Sequence, residues 1–199
     1  MRTKSQRGNP KDGSGSVPFR WRREIERVLI TDKRIAQRVR QLALQIERDH
    51  TGRDLVIVSL LNGTVIFLAD LVRQLSLPLR LDFIGVSSYG NSTESGALIF
   101  TKELRLDVHG RDVLLVDDIL DTGKTLHLVL KKLRTLKPRR IRTCVLLDKP
   151  ARRTVKTQAD YVGFQVPDTF VVGYGLDFAE RYRHLPFVGI LKPELYRAA

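Results

Sequence analysis

Midway along the chain an apolar run stops abruptly at a cluster of acids, and a turn of small residues follows. Residues 113–116, Val-Leu-Leu-Val, are continuously apolar, the pattern of a parallel strand buried on both faces. Asp117, Asp118 and Asp121 begin where that strand emerges at its carboxyl end, the edge at which open α/β sheets bind ligands. Thr122, Gly123, Lys124 and Thr125 then open a helix whose apolar residues Leu126, Val129, Leu130 and Leu133 fall at helical spacing. The first-turn N–H groups of such a helix lack intrahelical acceptors, so they can hold a phosphate.

A phosphate cradle beside three acids is an electrostatic conflict, because the acids repel the same anion. A ribose 5-phosphate resolves it: its 2′ and 3′ hydroxyls donate to Asp117 and Asp118 while its 5-phosphate lies on the amides of the turn. A helix capped by Asp accounts for one acid but not for three. A Walker-type nucleotide loop needs Gly-x-x-x-x-Gly-Lys-Ser/Thr, which is absent. The strand, the acid pair and the turn together resemble the 5-phosphoribosyl-1-pyrophosphate signature of type I phosphoribosyltransferases. The fold this resemblance implies is α/β, a parallel-centred sheet flanked by helices, with a small hood and a mobile loop.

Length and composition are compatible with that fold, since 199 residues at 42% hydrophobic content can build one α/β domain with a substantial core. The single cysteine, Cys144, rules out an internal disulfide framework, and its place in the run Cys-Val-Leu-Leu points to a buried thiol in a reducing compartment. No apolar run approaches the length of a bilayer span, so a soluble, cytoplasmic protein with no membrane partner is expected. The formal charge of +13 is unevenly spread. Residues 1–23 carry seven basic side chains (Arg2, Lys4, Arg7, Lys11, Arg20, Arg22, Arg23) against one acid, Asp12. Residues 1–22 therefore read as a basic, disordered extension, and residues 23–199 as a single domain. A second cluster, from Lys131 and Lys132 to Arg142, follows the phosphate turn and suits a solvated helix face that attracts polyanionic substrates. No aromatic-rich motif accompanies the charge, so nucleic acid is not the expected partner.

Periodicity supplies the remaining elements. A helix starts with Thr31 or Asp32 as N-cap, carries Ile35, Val39, Leu42 and Ile46 on one face, and stops by Gly52. A strand over 55–61 leads through Asn62 and Gly63 into a helix over 65–75 with Phe67, Leu68, Leu71 and Leu75 facing the sheet. Residues 79–87 return as a strand, residues 87–96 form a small-residue mobile loop, and 141–147 is a further strand. Short apolar pieces follow near Tyr161, Phe170 and Phe187. Strands alternate with helices, which places helices on both faces of a parallel-centred sheet. The histidines, His50, His109, His127 and His184, show no metal-ligand spacing and are expected on the surface.

Several further segments resemble the hypoxanthine-guanine branch of the family over most of residues 24–199. They are LLNGTVIFLADLVR, DFIGVSSYG, LLDKP, and YVGFQVPDTFVVGYGLDFAERYRHLP with its LKPELY ending. The resemblance implies transfer of the 5-phosphoribosyl group from 5-phosphoribosyl 1-diphosphate to hypoxanthine or guanine, giving IMP or GMP and pyrophosphate in purine salvage. It implies that Lys149 binds the purine O6, and the chemistry agrees: an ammonium only donates, matching a 6-oxo acceptor and clashing with the 6-amino group of adenine. By the same resemblance Phe170 stacks on the base, and Val171 reads its edge through the backbone. Asp177 lies near the base and a Mg²⁺ ion, a metal site that Asp117 and Asp118 share. Arg183 holds pyrophosphate, Gly63 belongs to the first loop, and Ser88 and Tyr89 to the loop that closes over the site. Asp121 is the general-base candidate because it sits between the sugar acids and the phosphate turn. The implied assembly is a homodimer or homotetramer. Two residues depart from the pattern: Asp117 stands where Glu is frequent, and Asn62 where Lys often follows the leucine of the first loop. Whether the Leu61-Asn62 bond is cis stays open from the residues. The alternative function is a regulator that uses this fold to bind RNA or DNA, against which the intact Asp121, Lys149 and Arg183 set favours catalysis.

Overall fold

The structure, a computed structural model, describes residues 15–88 and 98–196. Residues 89–96 of the expected loop, Tyr89 among them, lie outside the described residues, as do residues 1–14 of the basic extension.

The first described elements are β1 (Ile25–Ile30), α1 (Asp32–His50), β2 (Leu55–Leu61), α2 (Val65–Val72), β3 (Leu79–Ser88) and β4 (Leu98–Lys102). They continue with β5 (Asp112–Leu120), α3 (Lys124–Thr135), β6 (Arg140–Asp148), β7 (Tyr161–Gln165), β8 (Val171–Val172) and β9 (Val188–Leu191). Six strands form one sheet in the order β4-β3-β2-β5-β6-β7. All neighbours in it pair parallel except β4, which runs antiparallel to β3 at the edge. A second, three-stranded antiparallel sheet, β1-β9-β8, makes the hood.

Alternation along the central strands explains why they are apolar throughout. Leu55, Ile57, Leu114, Val116, Cys144 and Leu146 pack toward Ile35, Val39, Leu42 and Ile46 of α1 and Phe67 and Leu71 of α2. Their neighbours Val56, Val58, Val113, Leu115 and Val145 pack on the other face against Leu126, Val129 and Leu133 of α3. A sheet covered on both sides needs no polar face. Burial also pushes the Cys144 thiol up, so it stays protonated and inert. The hood has its own cluster, built on Ile25, Val28, Val172, Tyr182, Leu185, Phe187 and Leu191.

Thr31 is the N-cap of α1, its side chain accepting from Arg34 N at 3.4 Å. Three expectations need correction. The second helix ends at Val72, three residues early, because Gln74 and Leu75 bond back to the carbonyls of Leu71 and Val72 and Ser76 N donates to the Glu47 carboxylate of α1 at 2.5 Å. Leu75 still joins the core, but from the turn. His50 is buried rather than on the surface, because it lies one turn beyond Ile46 on the inner face of α1, where its Nδ1 meets the Ile46 carbonyl at 2.9 Å. Burial lowers its pKa, so the ring is neutral. His109, His127 and His184 are exposed. Residues 15–22, expected as part of the extension, also belong to the fold. Gly15 bridges to Val28, residues 19–21 form a 3-10 turn, and the Trp21 ring lies against Tyr182 and His184 with centroids 6.0 and 5.6 Å away. Trp21 and Val17 pack this stretch against the hood cluster. Ser87 and Ser88 likewise belong to β3, their backbone paired with Ile99 and Leu98.

Candidate functional site

Strands β2, β5 and β6 run parallel and end along one edge of the sheet at Leu61, Leu120 and Asp148. A cavity of about 310 Å³ opens there. It brings Gly63, Asp117, Asp118 and Asp121 together with Thr122, Gly123 and Thr125 of the turn, and Asp177 and Arg183 face them from the segment between β8 and β9.

Asp117 and Asp118 stand inside β5, followed in the strand by Ile119 and Leu120. Asp117 Oδ1 accepts from Asp118 N at 3.0 Å and lies 3.5 Å from the donating Thr64 hydroxyl; Asp118 Oδ1 accepts from Ile119 N at 2.8 Å. Burial, followed by the charge of Asp118, pushes Asp117 well above the usual carboxylate range. Burial raises Asp118 too, against the hydrogen bonds from Asp117 and Ile119 N and the attraction of Arg183. Asp117 is buried and Asp118 half-buried, and two carboxylates this close resist a second negative charge unless a hydroxyl donor or a cation joins them. The loop of Asn62, Gly63 and Thr64 passes directly over the pair: a Cβ on Gly63 would fall 1.8 Å from Asp118 Oδ2. The Leu61-Asn62 peptide bond is cis.

Opposite, Gly123 is the N-cap of α3 with φ +86°, a left-handed conformation that favours glycine, and it brings no side chain to cap the helix. Gly123 and Thr125 both line the cavity. Lys124 itself is exposed, its N 3.4 Å from the Thr122 hydroxyl. Arg183 closes the third side: Nη1 lies 2.9 Å from Asp177 Oδ1 and 2.9 Å from the Gly175 carbonyl, and Nη2 donates to Glu180 at 3.0 Å.

The expected base-binding residues stand beside this cavity rather than in its wall. Lys149 N donates to the Leu120 carbonyl at 2.9 Å, next to Asp121, and its Nζ donates to the Thr169 carbonyl at 2.7 Å. Burial lowers the Lys149 pKa, with Asp121 opposing. Phe170 stacks on Tyr196 (4.7 Å, 22°) and meets Phe178 edge-on (5.6 Å, 89°), while Val171 is buried and pairs with Ile190. Ser88 ends β3, and Tyr89 is outside the described residues. Asp117, Asp118 and Asp177 do not form a preformed metal cluster; among the described residues no three Asp, Glu, His or Cys side chains do. The Asp177 carboxylate pairs with Arg183 and accepts from Glu180 N.

Sequence reasoning missed two arginines. Arg152 Nε lies 3.1 Å from Asp121 Oδ1, without hydrogen-bond alignment, and its Nη1 lies 3.6 Å from Asp168. Arg153 donates to the Asp121 carbonyl and to the Asp148 carboxylate. Their signal was the Arg-Arg pair directly after LLDKPA, which a charge count merges into general basicity.

The chain matches the family described as Phosphoribosyl transferase domain over residues 29–179. It is 44% identical over 176 residues to the hypoxanthine-guanine phosphoribosyltransferase of Bacillus subtilis, covering 88% of this chain and 98% of that protein. It is 45% identical over 174 residues to the bifunctional protein TilS/HprT of Listeria monocytogenes; this covers 87% of the chain, which spans only 27% of the longer relative. Among solved structures, a hypoxanthine phosphoribosyltransferase from Staphylococcus aureus superposes with a TM-score of 0.84 at 41% identity, covering 88% of this chain and 96% of that one.

Proposed function

The chain belongs to the phosphoribosyltransferase family, and from that premise we propose that it transfers the 5-phosphoribosyl group of 5-phosphoribosyl 1-diphosphate to hypoxanthine or guanine, in purine salvage. The observation that carries this reading is one cavity that joins the acid pair Asp117 and Asp118, a helix start without a side-chain cap and a guanidinium, with a donor-only lysine beside it. The three parts match the three parts of the donor. The 5-phosphate fits the turn at residues 122–125, the ribose hydroxyls fit Asp117 and Asp118, and the pyrophosphate fits Arg183 and the loop of Gly63. The relatives with matching length are named as transferases, so the alternative of a nucleic-acid-binding regulator gains no support from them.

In this reading a purine ring nitrogen attacks C1′ of the sugar as pyrophosphate leaves, with inversion at that carbon. The carboxylates of Asp117 and Asp118 stabilise the positive charge that develops on the sugar, and Arg183 the negative charge on the leaving group. Asp121, beside both the turn and Lys149, accepts the proton from the base nitrogen. Lys149 donates to the purine O6, and Phe170 stacks on the ring. The oxygen donors of Asp117, Asp118 and Asp177 suit Mg²⁺, an ion that takes one or two carboxylates and completes its shell with substrate phosphate oxygens, so no preformed cluster is needed. Mg²⁺ bound with the donor supplies charge neutralisation at the pyrophosphate. Among the described residues no helix is long and apolar enough to cross a membrane. The proposal places the enzyme in the cytoplasm as a homodimer or homotetramer.

The test is an activity panel of hypoxanthine, guanine, xanthine and adenine with the donor and Mg²⁺, run on the parent and on Lys149→Gln. The parent is expected to use hypoxanthine and guanine and to reject adenine, whose amino group would face another donor. Lys149→Gln, able to accept as well as donate, is expected to narrow the ratio of kcat/KM between hypoxanthine and adenine. A parent that uses adenine as well as hypoxanthine would remove the 6-oxopurine assignment and leave the phosphoribosyl site standing.

A further inference from the structure

The phosphate turn is tied down from outside the cavity by residues 152–155. The Thr122 carbonyl accepts from Thr154 N at 3.0 Å and from Val155 N at 3.1 Å, and the Thr154 hydroxyl lies 3.3 Å from the same oxygen. The Asp121 carbonyl accepts from the Arg153 guanidinium, whose other arm holds the Asp148 carboxylate at the end of β6. Arg153 and Asp148 are largely buried, their side chains 17% and 13% exposed. Neither arginine lines the cavity that holds the acid pair. The segment also touches the turn at Gly123, where an added Cβ would meet the Val155 carbonyl at 3.0 Å and Arg153 Cδ at 3.2 Å.

Peptide geometry turns these contacts into a statement about the amides. In a trans peptide the C=O and the following N–H point in opposite directions. Carbonyls of Asp121 and Thr122 drawn toward residues 152–155 therefore aim the N–H groups of Thr122 and Gly123 the other way, toward the cavity. A carbonyl free to swing inward would instead set a partial negative charge against the anion. We propose that Arg153 is a positioning residue for the donor's 5-phosphate, fixing the turn with its carbonyls outward and its amides inward. This rests on the reading of residues 122–125 as the phosphate site. The planar guanidinium suits the task because it meets a carbonyl and a carboxylate at once, which a lysine ammonium does with poorer geometry.

The experiment titrates two probes separately, ribose 5-phosphate and inorganic diphosphate with Mg²⁺, into the full-length protein. Arg153→Met is expected to weaken ribose 5-phosphate binding about tenfold, the scale of a small misplacement in a preorganised site, with Arg153→Lys falling between Met and parent. Diphosphate affinity should change by less than about twofold, since its ligands lie elsewhere in the cavity. Leaving Asp148 buried without its partner can prevent folding, so the double variant Arg153→Met, Asp148→Leu removes both charges and is expected to show the same selective loss. Unchanged ribose 5-phosphate affinity, or equal weakening of both probes, overturns the proposal. Gly123→Val separates the two levels of the argument. If it also leaves ribose 5-phosphate binding unchanged, the phosphate-turn reading fails and the proposal with it; if it weakens binding while the Arg153 variants do not, the proposal alone fails.

Discussion

Asp121 and the neighbouring acid pair sit in different surroundings although all three are carboxylates within five positions of β5 and its turn. Asp121 stands at the turn with Arg152 and Lys149 close by, whereas Asp117 and Asp118 are held together by burial and by their own backbone amides. Asp121→Asn is expected to keep donor binding and lower turnover by about two to four orders of magnitude, the range of general acid-base contributions. Near-normal turnover would take Asp121 out of the chemistry. The acid pair makes a prediction about protons. Burial raises both groups in the free protein, whereas ribose hydroxyls and Mg²⁺ favour the ionised pair. Donor binding should therefore release protons, with affinity rising as pH rises through the titration of the pair and levelling off once the free pair is already ionised. Calorimetry in two buffers of different ionisation heat measures the release, and identical heats would show that the pair is not coupled to the donor. At this scale Asp117, Asp118 and the turn were visible as letters, because charge beside an apolar run is a one-dimensional signal. Arg152 and Arg153 were not, since their role depends on a crossing between β5 and β6 that no local pattern shows.

The elements that hold the site are fastened by polar groups where apolar packing ends. Asp82 of β3 is the clearest case: it accepts from Phe83 N, Arg105 N and Leu106 N at 2.7, 2.6 and 2.9 Å and pairs with Lys102 of β4 at 3.2 Å. Burial pushes Asp82 up, but these donors together outweigh it and bring the group down to about 2 from 3.8. A carboxylate depressed on folding stabilises above its unfolded pKa and loses that contribution as pH falls through its folded one. Asp82→Asn should thus cost about 2 kcal/mol at neutral pH, and the gap to the parent should close as pH falls from 3.8 toward 2. Urea unfolding of both proteins across that window is the measurement, and a gap that does not change with pH would mean that the charge of Asp82 contributes nothing. Element boundaries also show where periodicity stops being informative. Leu75 fits the helical stripe of α2, but the competing bond from Ser76 to Glu47 belongs to a different helix, so the end of α2 is decided by α1.

At the scale of the molecule, Ile30, Val171, Val188 and Ile190 of the hood join the core of the central sheet while other hood residues build a cluster of their own, and the candidate site draws Asp177 and Arg183 from the segment between β8 and β9. The hood is anchored in part by Trp21, which packs on Tyr182 next to Arg183. Trp21→Ala is expected to lower stability by about 2 kcal/mol, less than for a fully buried aromatic because the indole is half-exposed. Removing residues 1–14, which have no apolar periodicity, should leave the unfolding midpoint unchanged. Thermal unfolding of the two variants separates these outcomes, and a truncation as damaging as Trp21→Ala would place a structural role in the basic segment.

By itself the sequence determined the parallel α/β sheet, the two-faced core and the edge where the acids and the turn of residues 122–125 meet. Each follows from a local rule: the period of two in strands, the period of 3.6 in helices, and the ligand edge of a parallel sheet. Tertiary structure alone decided which partners those residues take. Lys149 reaches the Thr169 carbonyl, Arg183 reaches Asp177, Arg153 clamps Asp121 to Asp148, and His50 turns inward, because each is set by a crossing of elements distant in sequence. Hydrophobic pattern fixes which face of an element is buried, whereas the direction of a single polar side chain depends on which donor or acceptor the fold happens to bring within about 3 Å of it.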